Sequence, residues 1–274
     1  MDAAFTFSNS IVSDIVSPMS SVDYDLNTML WFQQVIARGG TVSLTRRRLV
    51  DALIVTLKSL GVWSKLDRLW LLANENTTAA AIDIIALTAL TPIGAPVFTT
   101  DRGYASAGTG SYIRTNVDVS VVSGLNFQAA SACDFAWSVD DAAVSGPIIA
   151  AEVNAFNDIY PAFTDGHLYW RINDQNGDVS PAPLNAHCQG LWCATNTGLN
   201  ETLYRNGASF STGTIVANVL PSGSITILTR VTGAAGDTFT ANCACAGFGG
   251  FLTATDALNL YNTLRTYMTA IGVP

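Results

Sequence analysis

The feature that most constrains this 274-residue chain is a change of rhythm near Val97. Beyond it, short β-rich runs alternate with Gly, Asn, Asp and Pro turns. The runs fall at 97–104, 111–117, 127–139, 147–153, 159–163, 167–172, 190–195, 202–206, 224–231 and 238–248. No long helical pattern separates them, which predicts an antiparallel β-sandwich rather than a parallel sheet. The last run feeds a helix over 254–270. Thr253 is its N-cap with Asp256 three residues on, and Ala257, Leu260, Tyr261, Leu264, Met268 and Ile271 form its buried stripe.

Before Val97 the apolar spacing is helical. The pattern predicts a helix over 26–38, stopped by Gly39-Gly40, and a second from the Ser43 cap to about residue 60, stopped by Gly61. It also predicts a short helix over 64–72 and another over 77–90, with Pro92 and Pro96 ending the region. Arg46-Arg47-Arg48 in the first turn of the second helix reads as a solvated face or a contact with an acidic partner. Residues 1–25 read as an extended arm. It is either a frayed terminus or an arm that docks on a neighbouring subunit through Phe5, Phe7, Ile11 and Ile15. The layout expected is therefore an arm (1–25), a helical region (26–95) and a sandwich with a closing helix (96–274).

Composition narrows the function classes. Hydrophobic residues make up 49% and charged residues 12%, against about 25% charged in an ordinary domain, so disorder is excluded for most of the chain. The net charge of −8 argues against nucleic acid as the principal ligand. Residues 1–75 balance seven acids with seven bases, so the whole excess lies beyond them. The mean hydropathy of +0.31 fits burial against partners or a neutral surface rich in Ser, Thr, Asn and Gly. The most apolar window, 79–97, contains Asp83, Pro92, Gly94 and Pro96, which breaks a membrane span. Met1-Asp2-Ala3-Ala4-Phe5 offers no basic region before an apolar stretch, so synthesis in a cytoplasm without a secretory signal is expected.

Catalytic constellations are not found. The histidines are His167 and His187, and no Gly-x-Ser-x-Gly elbow is present. Glu75, Glu152 and Glu201 do not share a strand, so the paired carboxylates of a glycosidase are missing. Asp140-Asp141 reads as a pair of turn acids. No enzyme activity is expected. In Asn173-Asp174-Gln175-Asn176-Gly177-Asp178, the oxygens of Asp174, Asn176 and Asp178 make a candidate calcium turn; the alternative is a plain hairpin turn on Asn-Gly. Tyr160, Tyr169, Trp170 and Trp192 are either sandwich core or rings for stacking on sugars.

The cysteines are Cys133, Cys188, Cys193, Cys243 and Cys245. With His187 they can be written as a zinc set, though the spacing is not that of a common zinc knuckle. They also read as small buried apolar residues, or as disulfide candidates. Cys243 and Cys245, two apart on a strand, should share a face with Cα atoms about 6.5–7 Å apart, too far to bond each other. Cys188 and Cys193 flank Gly190 and could close a small loop. Because the count is odd, a bridge to another chain is the favoured form of disulfide.

Several stretches carry a likeness: Gly39-Gly40-Thr41-Val42-Ser43, Gly61-Val62-Trp63-Ser64-Lys65-Leu66-Asp67-Arg68-Leu69-Trp70, Phe98-Thr99-Thr100-Asp101-Arg102-Gly103-Tyr104, Tyr112-Ile113-Arg114-Thr115-Asn116, Leu203-Tyr204-Arg205-Asn206-Gly207 and Gly247-Phe248-Gly249-Gly250-Phe251-Leu252-Thr253. Together they resemble a family of tailed-phage and prophage virion proteins with a concanavalin-like (laminin-G-like) sandwich, over about residues 38–274. The resemblance implies a mainly β jelly roll with an N-terminal helical region and a C-terminal helix. It also implies a virion component: a capsid decoration, collar, fibre or tail accessory protein, assembled in a host cytoplasm and released by lysis. Its partners would be other virion proteins and further copies of itself. The competing expectation is a lectin-like module for host surface polysaccharide. Neither carries over a catalytic residue.

Overall fold

The structure is a computed structural model and describes residues 24–141, 144–151, 153–175, 184–185, 187–230 and 237–274. The arm residues 1–23 lie outside the described residues, as do Asn176 and Asp178 of the candidate calcium turn.

Helix α1 (Leu26–Ala37) starts where the Asp25 carboxylate accepts the Asn27 N–H and ends at Gly39, whose φ of +78° suits a residue without Cβ. Helix α2 (Leu44–Ser59) is capped by Ser43, which accepts the Arg46 N–H. The spacing predicts a stripe of Leu49, Val50, Leu53, Ile54, Leu57 and Leu60; Val50, Leu53, Ile54 and Leu57 are buried, Leu49 is half-buried and Leu60, at the helix end, is exposed. The arginine triplet is not a solvated face. Arg46 is buried and donates to the Tyr267 hydroxyl at 2.7 Å, to the Ala73 carbonyl and to Asp101 at 2.5 Å. Arg47 stacks on Phe32, and Arg48 alone is exposed. Three charges in a row thus reach three environments, because successive helix positions point about 100° apart.

Two predicted helices are replaced. The segment 64–72 begins with a single 3₁₀ turn, Trp63–Lys65, and then becomes strand β1 (Leu66–Trp70). Its partner explains the change: Leu66 lies opposite Gly249 and Leu69 opposite Gly247. A Cβ on either glycine would sit within 2.5 Å of a β1-side carbonyl, that of Arg68 or Lys65. The glycines let the strands approach, and pairing overrides the local helical period. The segment 77–90 supplies only the short α3 (Thr77–Ala81), capped by Asn76. Beyond it, Asp83 folds the chain back by accepting the N–H groups of Leu69, Ile85 and Ala86.

The remaining elements are β2 (Thr91–Ile93), β3 (Val97–Thr99), β4 (Gly103–Ala105), β5 (Tyr112–Asp118), β6 (Ser131–Ser138), β7 (Ile149–Ala151), β8 (Phe156–Tyr160), β9 (Tyr169–Asp174), β10 (Gly190–Thr197), β11 (Asn200–Arg205), β12 (Ala208–Thr214), β13 (Ser224–Ile227), β14 (Cys243–Gly249) and α4 (Ala254–Ala270). They form two antiparallel sheets. The eight-stranded sheet runs β12-β11-β10-β6-β14-β4-β3, with β1 also on β14; the six-stranded sheet runs β2-β5-β13-β7-β8-β9. The predicted 97–104 run is two strands split at Asp101, and β12 has no counterpart among the predicted runs. The turn joining β11 to β12 is Asn206-Gly207, both at positive φ, as a two-residue hairpin demands. Helix α4 has the expected bounds, with a complete Thr253/Asp256 capping box.

The molecule has three layers. Between the sheets lies a core that includes Trp70, Phe127, Ile159, Trp170, Trp192 and Phe248. The other face of the large sheet is covered by the helices, through Phe135, Trp137 and Leu191 on the sheet and Leu57, Leu260 and Tyr267 on the helices. Trp137 stacks on Tyr261 at 5.8 Å. Along β6, Cys133, Phe135 and Trp137 face the helices, while Ala132 and Ala136 face the smaller sheet.

The cysteines follow this division. Cys133, Cys193 and Cys245 lie on the helix side, and Cys188 and Cys243 between the sheets. A bulge between Cys243 and Cys245 sends them to opposite faces, which corrects the expectation that they share one. Cys188 and Cys193 are likewise on opposite sides of the large sheet and do not close a loop. All five are buried, and no disulfide joins them among the described residues. The expected bridge to another chain has no sulfur to reach, because each lies under a packed layer. Burial also pushes up the thiols of Cys133, Cys193, Cys243 and Cys245, which suppresses the reactive thiolate.

Candidate functional site

The middle of the large sheet is covered on both faces, whereas β5 and β9 of the small sheet bring side chains to solvent. Within the hairpin of β8 and β9, Ile159 lies opposite Trp170 and both point into the core. Alternation then turns their neighbours Tyr160 and Tyr169, also cross-strand partners, outward. The loop between them is a tight turn. The Phe163 N–H donates to the His167 carbonyl at 2.7 Å and the Gly166 N–H to the Phe163 carbonyl at 2.9 Å, with Gly166 at a φ of +84°. This folds Phe163 back against the tyrosines, edge-on to Tyr160 at 5.8 Å and to Tyr169 at 5.7 Å. The His167 ring lies 6.4 Å from Tyr169.

An exposed carboxylate completes the rim. Asp165 accepts the Tyr169 hydroxyl at 2.6 Å and the His167 N–H at 2.9 Å. The Tyr169 bond, followed by the His167 contacts, holds the Asp165 carboxyl below its ordinary range, and the same bond pushes the Tyr169 phenol up. Asp165 is therefore ionised at neutral pH and keeps lone pairs free for a further donor. One row further along the same face, Arg171 bonds the buried Asp158 and lies 4.1 Å over the Phe156 ring. The face presents half-buried rings beside a fixed anion. Such rings can lie against the C–H face of a sugar while the carboxylate accepts hydroxyl protons.

Of the four aromatics with two expected roles, Trp170 and Trp192 are core and Tyr160 is buried as well, so Tyr169 alone is half-exposed at the rim.

A second set of polar groups is enclosed between the sheets. Asp134 of β6 accepts from Asn157 of β8. Burial, reinforced by Asp158 and only partly offset by the Asn157 bond, raises Asp134 to about 7. Glu201 of β11 is raised to about 8 by burial and then by Asp174, although the Ile172 N–H donates to it. One oxygen of each carboxylate has no hydrogen-bond partner among the described residues. These acids are closed off from a substrate.

Of the candidate calcium turn, Asp174 is buried at the end of β9, opposite Phe156 and bridged to Asn218. The Asn173 amide donates inward to the Gln128 and Ala129 carbonyls. No cluster of three or more His, Cys, Asp or Glu side chains able to hold a metal occurs among the described residues, so His187 and the cysteines do not form a zinc set there. His187 pairs instead with Asp141 at 2.6 Å, while Asp140 accepts from the Asn242 backbone and amide. No helix among the described residues is long and apolar enough to cross a membrane.

No protein-family model matches the sequence, and no curated protein matches it. Solved structures do. Trypanosoma rangeli sialidase in complex with 2,3-difluorosialic acid matches with a TM-score of 0.53 and 12% identity, over 82% of this chain and 40% of the sialidase. A mutant of HCR/D matches with a TM-score of 0.54 and 13% identity, over 74% of this chain and 53% of that one. Domain 4 of AbnA, a GH43 extracellular arabinanase from Geobacillus stearothermophilus, solved with arabinotriose, matches with a TM-score of 0.50 and 15% identity, over 72% of this chain and 98% of the domain. This chain thus spans less than two thirds of the first two proteins. At such identities the likeness defines the fold, a concanavalin-like β-sandwich.

Proposed function

We propose that the chain is a carbohydrate-binding module whose sugar site is the rim formed by Phe163, Asp165, His167 and Tyr169. The observation that carries this reading is the exposed Asp165 carboxylate fixed among partly exposed rings at one end of the small sheet. The arabinanase domain, nearly all of which is matched, was solved with arabinotriose, and this supports a sugar as the ligand class. The test is titration of the full chain with arabino-oligosaccharides, sialosides and bacterial surface polysaccharides. Phe163→Ala and Tyr169→Ala should each weaken the binding found by about tenfold or more, the loss of roughly 1.4 kcal/mol, with near-UV circular dichroism unchanged. Binding that ignores both substitutions, or no binding to any of these sugars, overturns the reading.

A second reading, a structural component of a phage particle, is favoured by α1. This helix buries Trp31 and Val35 on one side yet leaves Leu26 68% and Ile36 48% exposed on the other. An apolar outer helix face suits a protein contact. A cryo-EM map of the intact particle with density for this chain would support that role, and its absence from purified particles would end it.

A further inference from the structure

Most sheet edges in this molecule are closed. Strands β2 and β3 have three residues each, and β2 contains Pro92, which has no N–H to offer. The free side of β1 is capped: the Leu69 N–H donates to Asp83 and its carbonyl accepts the Ile84 N–H. The outer side of β9 is capped too, since Glu201 accepts the Ile172 N–H and the Asn173 carbonyl accepts the Val219 N–H.

Strand β12 is the exception. It has seven residues, Ala-Ser-Phe-Ser-Thr-Gly-Thr, exposed or half-exposed throughout, and it pairs with β11 alone. Among the described residues no hydrogen bond reaches its outer side. It carries none of the charges or prolines that keep edges from pairing. The absence of charge extends well beyond the strand: no charged side chain occurs from residue 206 to residue 229.

We propose that β12 pairs with β12 of a second copy across a two-fold axis, so that one continuous sheet runs through both. Three features select a second copy as the occupant. An antiparallel strand can meet itself about a two-fold, since residue i of one copy then faces residue j of the other and j faces i, with the central residue opposite itself. Two chains of net charge −8 repel, and the charge-free segment is where they can meet with least opposition. The ends of the strand also match. Pairing centred on Ser211 brings the Gly207 end, where Leu258 of α4 is exposed, beside the other copy's opposite end, where Val216 and Leu199 are exposed. This dimer does not depend on what the small sheet binds.

The experiment is sedimentation of the full chain up to about 100 µM, with hydrogen exchange at low and high concentration. A dimer is expected, with protection of residues 208–214 that rises with concentration. Thr212→Lys, which brings two like charges together near the axis, should weaken the dimer about tenfold or more, whereas Thr212→Val should leave it intact. A monomer throughout, a dimer indifferent to Thr212→Lys, or exchange in 208–214 that ignores concentration overturns the proposal. Should the lysine variant fail to fold, the exchange of the unaltered chain decides.

Discussion

The two sheets solve different problems with the same kind of strand. The middle of the large sheet is buried on both faces, so β6, β10 and β14 are almost wholly enclosed. The small sheet is covered on its inner face and shows solvent Tyr112, Arg114 and Asn116 on β5 and the Tyr169 rim on β9. A strand closed on both sides can hold the layers together but presents nothing, whereas one with an open face is free to carry chemistry. The contrast predicts that damage to the large sheet is felt as lost stability, and damage to the rim as lost binding.

The severest way to break this contrast is to remove the layer that closes the large sheet. A chain beginning at residue 96 loses α1, α2 and β1, and leaves Phe135, Trp137 and Leu191 without most of their cover. It should aggregate or lack a cooperative melt in calorimetry. A soluble monomer that melts with the full chain would show that the helical layer is dispensable.

A single-residue version compares Trp137→Ala with Phe163→Ala. Trp137 is fully enclosed between β6 and α4, and its loss should cost about 3–5 kcal/mol. Phe163 is half-exposed, and its loss should cost about 1 kcal/mol. Urea unfolding of both variants measures the difference, and equal losses would erase the division of labour.

The smallest and most specific effect is on pH dependence. Asp134 ionises near 7 in the folded chain, against 3.8 ordinarily. Between those values the folded state holds a proton that the unfolded state has released, so stability falls as pH rises through this window. Asp134→Asn removes that slope. It should gain about 1–3 kcal/mol relative to the unaltered chain on going from about pH 5 to about pH 8. Parallel pH profiles for the two proteins would show that Asp134 is not protonated as the structure requires.

Much of the architecture is legible in the residues, and the misses share a cause. Caps and stops are local: Ser43, Gly39, Gly61 and the Thr253/Asp256 box place three helices almost to the residue. Strand β1 is hidden because its reason for being a strand lies at Gly247 and Gly249, far along the chain. The faces of Cys243 and Cys245 are misread because a bulge is not visible in a period of two. Nothing in the sequence singles out Asp134. An acid alternating with Cys133 and Phe135 would lie on the solvent side of a strand with one wet face; here both sides are dry, and the acid is enclosed. The rim is half legible. Tyr169 stands out as a strand aromatic, but its separation from the buried Tyr160, Trp170 and Trp192 depends on register, and Phe163 and Asp165 enter through the Asp-Gly turn between the two runs.

The position of β14 has a consequence for how the chain comes into being. This strand, made from residues 243–249, lies at the middle of the large sheet and pairs with β6, β4 and β1. Helix α4, which follows it, lays Tyr261 over Trp137. A nascent chain emerging from a ribosome can therefore form α1, α2 and the β10–β11–β12 meander, but it cannot close the sheet until residues 243–270 are free. Until then β1 and β6 wait with unsatisfied edges, and the loop to be closed spans most of the sequence. Slow, late and all-at-once acquisition of protease resistance is the expected signature of synthesis.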